Sequence, residues 1–157
     1  MTPAETQKFG SSSMSVALAQ LNPHLGDVSA NCQKLLQMRE RAAAKGADII
    51  LTPEMFLAGY PADDLVLRAD FMDRIEAAIS RLAKATADGG PAIIVGAPCR
   101  DKDVLYNSAF ILDGGKIVAR RDKVNLPNYG VFDDKRHFTP GQLQGPVLLR
   151  GMRLGIA

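Results

Sequence analysis

Cysteine and histidine are scarce in this chain, with two of each among 157 residues. Cys32 and Cys99 form neither a disulfide framework nor a metal-ligand spacing, and His24 and His137 have no cysteine or histidine partner nearby. A bound metal is therefore not expected. No apolar run approaches the roughly 20 residues that span a bilayer, and no N-terminal stretch has the apolar core of a signal peptide. A formal net charge of +2 and a pI of about 8.6 are too mild to argue for nucleic acid or an anionic membrane surface. Glycine-rich phosphate loops of the G-x-G-x-x-G or G-x-x-x-x-G-K-[ST] type are missing. There is no internal repeat. What is present, 46% hydrophobic and 23% charged residues, is ordinary for a globular domain, and the length fits one. The expectation is a reduced, cytoplasmic protein.

Turn residues divide the chain into short apolar runs and amphipathic stretches. Val16 to Leu21, closed by Asn22-Pro23, predicts a buried strand and a turn. Asp27 suits a helix N-cap, and Val28, Cys32, Leu35, Leu36 and Ala43 share one face of a helix ending at Gly46. Ala47 to Thr52 is the next buried strand. Asp70 is expected to cap a second helix that buries Phe71, Ile75, Ala78, Ile79 and Leu82 and stops at Asp88-Gly89-Gly90-Pro91. Ala92 to Cys99 is a third strand. Leu105 to Leu112 and Lys116 to Val124 flank the hairpin signal Asp113-Gly114-Gly115. Alternation places Ile117, Ala119, Arg121 and Lys123 on one face of the return strand. Asn125 to Gly145 reads as a long loop, and Pro146 to Arg150 and Arg153 to Ala157 as two more strands. The order βαβαβ followed by a hairpin argues for a layered α/β fold with a mixed sheet.

Both ends carry expectations of their own. Met1 to Ser13 is polar and ends in Gly10-Ser11-Ser12-Ser13, which predicts a disordered leader, native or an expression remnant. Residues 14–157 then form the folded part. Met152 to Ala157 reads as a strand entering the core with no polar tail after it, so the domain is expected to continue past Ala157.

The richest segment is Ile49-Ile50-Leu51-Thr52-Pro53-Glu54, a buried strand that delivers one carboxylate before a loop of aromatics, glycine and a second proline. Open α/β sheets place their sites beyond the carboxyl ends of strands. A carboxylate there is expected to be poorly solvated, which suits general-base work near neutral pH. A second charged feature, Arg120-Arg121-Asp122-Lys123, is by spacing alone a solvated basic strand end. The aromatics and prolines of Val124 to Asp133 suit a pocket wall better. Cys32, on an apolar helix face, is expected to be a small core residue, and Cys99 to pack in the core or at its rim. The adjacent acids Asp63 and Asp64 read as a helix cap or a solvated pair.

Pro53-Glu54 with Gly59-Tyr60-Pro61-Ala62-Asp63-Asp64-Leu65 resembles the nitrilase superfamily, and within it the glutaminase domains of glutamine-dependent NAD synthetases. The resemblance continues through Tyr106-Asn107-Ser108-Ala109, Lys123-Val124-Asn125-Leu126-Pro127-Asn128-Tyr129 and Val131-Phe132-Asp133-Asp134-Lys135-Arg136-His137-Phe138, and runs from about Ser15 to Ala157. It implies an α-β-β-α sandwich with mixed sheets, incomplete at the C-terminus. It implies a Glu–Lys–Cys triad in which Glu54 is the general base and Lys123 the cationic partner, with the nucleophilic cysteine beyond Ala157. Tyr60, Tyr129 and Phe132 would line the substrate pocket.

On the same resemblance the substrate is glutamine, and the ammonia passes to a C-terminal synthetase domain of the same protein. That domain would use ATP and Mg²⁺ to amidate nicotinate adenine dinucleotide, whereas the residues here need no cofactor. A homo-oligomer is expected, and these residues alone should be inactive. Two rivals remain. One is a stand-alone nitrilase-type amidase with the Asn125–Gly145 loop as a lid; the other is an inactive scaffold ending at Ala157.

Overall fold

The computed structural model describes residues 13–156, so apart from Ser13 the expected leader lies outside the described residues, as does Ala157. Strand β1 (Val16–Leu18) leads through a loop to helix α1 (Val28–Ala43) and strand β2 (Ile49–Leu51). Helix α2 (Ala69–Ala85) follows a short 3-10 turn at Asp63–Leu67. Strands β3 (Ala92–Asp101), β4 (Val104–Asp113) and β5 (Lys116–Asp122) come next, then a 3-10 turn at Asp134–Arg136 inside the long loop. A small hairpin of β6 (Val147–Leu149) and β7 (Met152–Leu154) closes the described chain. The first five strands form one sheet in sequence order, β1, β2 and β3 parallel and β3, β4 and β5 antiparallel. This is the expected mixed α/β arrangement.

Asp27 caps α1 as its position predicts, its carboxylate accepting from the Ala30 amide at 3.0 Å. Helix α2 begins one residue before the expected cap. Its N-cap is Arg68, and Asp70 sits in the first turn, where its charge complements the helix dipole and pairs with Arg68 and Arg74. The apolar faces of both helices pack on one side of the sheet. Phe71, Ile75 and Leu82 of α2 and Leu35 of α1 are fully buried there with Ile93 and Val95 of β3. On the opposite side a smaller cluster joins Ile49, Ala92, Ile94 and Ile111 to Val147 and Leu149 of the terminal hairpin. Arg150 ties that hairpin down, donating to both Asp113 carboxylate oxygens at 3.0 and 2.7 Å and to the Gly90 carbonyl at 2.6 Å. Val16, Leu18 and Leu148 remain exposed.

The β4–β5 turn is tight because Gly114 and Gly115 both adopt positive φ, +57° and +82°, which the hairpin geometry demands. One strand expectation is overturned. Ile111 opposes Ala119 while its neighbour Leu112 opposes Ile117, so a bulge absorbs Val118. Ile117 is thereby turned to the helix side, beside Glu76 and Ile79 of α2, whereas Ala119 and Arg121 keep to the other face. An extra residue of this kind inverts the alternation on one side of itself.

Candidate active site

Glu54 leaves β2 over the middle of β3, and the crossing is close. Thr52 steadies it, its Oγ1 accepting from the Gly96 amide at 3.2 Å and donating to the Pro53 carbonyl at 3.1 Å. A Cβ on Gly96 would lie 2.6 Å from the Met55 nitrogen and 2.8 Å from the Pro53 oxygen. Only a residue without a side chain lets the Glu54 backbone pass there. The segment after Glu54 is a plug rather than an open loop, since Met55, Phe56, Leu57 and Ala58 are all buried. Asn31 of α1, itself buried, donates to the carbonyls of His24 and Leu57 and pins that plug to the helix.

Lys123 stands just past β5, its amide donating to the Asn107 carbonyl of β4 at 2.8 Å. From there its ammonium reaches Glu54 Oε1 at 2.8 Å, so two residues 69 positions apart in the chain meet as an ion pair. A second carboxylate holds the same ammonium, Asp134 Oδ2 at 2.9 Å. Tyr60 donates its hydroxyl to Asp134 Oδ1 at 3.2 Å, which ties the loop after β2 to the loop after β5. Asp134 is buried, with its side chain 4% exposed.

The electrostatics follow from this packing. Partial burial works against the Lys123 ammonium, but the hydrogen bonds and charges of Glu54 and Asp134 more than offset it and hold the lysine pKa above its ordinary value. Burial, then the Asp134 charge and hydrogen bond, raise the Tyr60 phenol. The carboxylate of Glu54 is not the poorly solvated group its strand-end position suggests. Its side chain is 46% exposed, because it stands at a cavity of about 420 Å³ that opens on the face opposite the helices. Leu51, Ile94 and Ala109 form the apolar floor of that cavity, with Arg121 and Lys123 at its polar side.

Tyr60 is thus brought to the site through Asp134. Tyr129 and Phe132 pack on each other edge to face, ring centroids 5.7 Å apart, and stand 71% and 38% exposed. None of Tyr60, Tyr129 and Phe132 is among the residues that line the cavity. Asp134 was not singled out from the sequence. It sits in the loop segment that resembles the superfamily, but next to Asp133, and one sequence does not tell which of two adjacent acids turns inward. Neither cysteine is near the pair. Cys32 is buried in the helix-side core, and Cys99 lines a separate cavity on that side with Glu76, Ile79 and Phe110. Burial raises both thiols above their ordinary pKa, against the opposing pull of Arg81 on one and Arg120 on the other. Thiols of that kind are poor nucleophiles. Among the described residues no group of three or more His, Cys, Asp and Glu could hold a metal ion, and no helix is long and apolar enough to cross a membrane.

Residues 15–157, which include this whole site, match the carbon-nitrogen hydrolase family. The chain belongs to that family. As a carbon-nitrogen hydrolase it is 38% identical over 141 residues to the glutamine-dependent NAD⁺ synthetase of Thermotoga maritima, covering 90% of this chain and 24% of the relative. The solved structure of the Acinetobacter baumannii glutamine-dependent NAD⁺ synthetase with ADP superposes with a TM-score of 0.82 at 36% identity, over 88% of this chain and 26% of that one. An amidase from Nesterenkonia sp. superposes at 0.76 and 31% identity, over 88% of this chain and 52% of the amidase. In a glutamate-to-glutamine mutant of the amidase from Nesterenkonia sp. AN1, acrylamide has added at the active-site cysteine. Within the family, then, this carbon-nitrogen hydrolase resembles the N-terminal part of glutamine-dependent NAD⁺ synthetases and spans about a quarter of their length.

Proposed function

We propose that these residues form part of a glutaminase unit, with Glu54 as general base and Lys123 as the group that stabilises the oxyanion. The observation that carries this is the 2.8 Å contact of Lys123 with Glu54 at the edge of a cavity. The nucleophile in this reading is a cysteine supplied by residues after Ala157. Glu54 accepts the thiol proton, and the thiolate attacks the side-chain amide carbon of glutamine. The carbonyl oxygen takes up the electron pair and becomes an oxyanion, which the Lys123 ammonium stabilises, a contribution of ~3–4 kcal/mol for one well-placed donor. Collapse of the adduct breaks the carbon–nitrogen bond as Glu54 returns its proton to the departing ammonia. Glu54 then takes a proton from water, which attacks the thioester and releases glutamate and the free thiol. Asp134, facing Lys123 at 2.9 Å, keeps the ammonium in place through the cycle.

The ammonia would serve amidation of nicotinate adenine dinucleotide to NAD in a synthetase domain of the same protein. The 24% coverage of the Thermotoga synthetase supports a longer protein of that kind. ATP and Mg²⁺ belong to that domain. The residues here do not fit them, with no glycine-rich phosphate loop in the sequence and no acidic metal cluster among the described residues. The exposed Val16, Leu18 and Leu148 support a second sheet and helix layer over this face, completing an α-β-β-α sandwich. Tyr60, whose hydroxyl is bonded to Asp134, belongs to the site by the same reading, while Tyr129 and Phe132, which do not line the cavity, are assigned to the substrate by the resemblance alone.

A stand-alone amidase is the second reading, favoured by the 0.76 superposition on the Nesterenkonia enzyme. Glutamine hydrolysis by the full-length protein decides. Glu54→Gln and Lys123→Met are each expected to lower turnover at least ~100-fold. Wild-type turnover in Glu54→Gln removes Glu54 from the mechanism, and hydrolysis of simple amides in preference to glutamine favours the amidase.

A further inference from the structure

Asn107 takes no part in the chemistry described above, yet it touches both of its members. It lies in the middle of the sheet on β4, opposite Pro98 of β3, and is 4% exposed. Its side-chain amide donates from Nδ2 to Glu54 Oε1 at 2.5 Å. Its backbone carbonyl accepts from the Lys123 amide at 2.8 Å. Only the NH₂ end of the amide can face a carboxylate at that distance, since the carbonyl end would set two acceptors against each other. Oε1 also accepts from the Lys123 ammonium at 2.8 Å, so one oxygen of Glu54 carries two donors. Oε2 carries none among the described residues, while the side chain stands at the cavity.

We infer that Asn107 is a positioning residue that locks Glu54 through Oε1 and leaves Oε2 as the one oxygen through which protons move. The inference rests on the general-base reading of Glu54. A carboxylate held at one oxygen by two crossed donors cannot rotate about its terminal bond without breaking both, so the free lone pair keeps a fixed aim. Such preorganisation raises turnover with little effect on substrate affinity. The other charged or titratable groups around Glu54 are Lys123 from the loop after β5, Asp134 behind that lysine and Tyr60 from the loop after β2, with Arg121 and Asp122 of β5 lining the same cavity. All of them stay in place in the variants below.

The test is the split between kcat and KM for glutamine in the full-length protein carrying Asn107→Leu or Asn107→Asp. Both are expected to lose roughly 10- to 100-fold in kcat with KM changed less than about threefold. The loss in kcat should be larger in the aspartate variant, which sets a second carboxylate against Glu54. A purely structural asparagine would lower the amount of folded enzyme and leave the kcat of the folded enzyme unchanged. If the leucine variant does not fold, the isosteric aspartate variant decides. Wild-type kcat in the folded variants, with Glu54→Gln inactive, would overturn the positioning role and leave the general base standing. Wild-type turnover in Glu54→Gln would instead overturn the general-base reading beneath it.

Discussion

Gly96→Ala is the sharpest test of how the fold places Glu54. The new methyl would sit 2.6 Å from the Met55 nitrogen, 2.8 Å from the Pro53 oxygen and 3.0 Å from the Glu54 carbonyl carbon. All three are backbone atoms, so no rotamer change relieves the clash. Ordinary contact begins near 3.4 Å, so something must give by about 0.8 Å. Strand β3 is paired with β4 through Gly96 and with β2 as far as Ile94, and is the less yielding partner. The Pro53–Met55 segment has to move instead. That displacement strains the Leu57–Gly96 hydrogen bond, now 3.1 Å, and carries Glu54 away from Lys123.

Overpacking of this kind costs about 1–3 kcal/mol of stability, and a shift of nearly 1 Å at a reacting group costs ~100-fold in rate. Urea unfolding and glutamine turnover of the full-length protein measure the two effects separately. Gly145→Ala, where a Cβ meets nothing within 4 Å, is the control and should stay within about 0.5 kcal/mol of wild type. Wild-type stability and turnover in Gly96→Ala would refute the reasoning, because the crossing would then not depend on the missing side chain.

Other perturbations probe the supports of the site. Asp134→Ala leaves the Tyr60 hydroxyl and one side of Lys123 without a partner and should destabilise by about 1–3 kcal/mol at pH 7, read by chemical unfolding. The lysine's folded pKa is raised, so its stabilising contribution is complete below the ordinary lysine value and fades as the pH rises through the folded one. The gap between Asp134→Ala and wild type should accordingly shrink in strongly alkaline buffer. Arg150→Met removes the partner whose hydrogen bond, against some burial, holds Asp113 below its ordinary pKa of 3.8. That contribution is present above about pH 3.8 and is lost as the pH falls through the depressed folded value. The variant should lose ~1–2 kcal/mol at neutral pH and converge on wild type in acid; a constant gap down to pH 2 would contradict the assignment.

Much of this was legible from residue spacing. Asp27 before a one-faced apolar stripe marks α1, and the Asp113-Gly114-Gly115 turn marks the β4–β5 hairpin, because both signals are local. Glu54 and Lys123 stood out by position and by the resemblance of their surroundings. The bulge at Val118 left no trace, since one inserted residue in an ordinary strand composition has no signature of its own. Asp134 and Asn107 were not singled out for a different reason. Their roles come from contacts to residues far off in the chain, Tyr60 for one and Glu54 for the other, and those contacts exist only once the sheet is assembled. The exposure of Glu54 likewise depends on what covers the second face, not on the apolar run that precedes it.

The switch from parallel to antiparallel pairing at β3 also divides the site by the order in which it can form. Asn107 and Lys123 lie on a meander whose partners are near in sequence, such as Ser108 and Asp122, 14 residues apart. Such contacts close small loops and form early. Glu54 arrives by way of two crossovers through α1 and α2, whose longer loops close late. The lysine half is thus a template that waits, and the ion pair across 69 residues records completion of the β2–β3 junction. A probe of that pair would report when this part of the chain has become native.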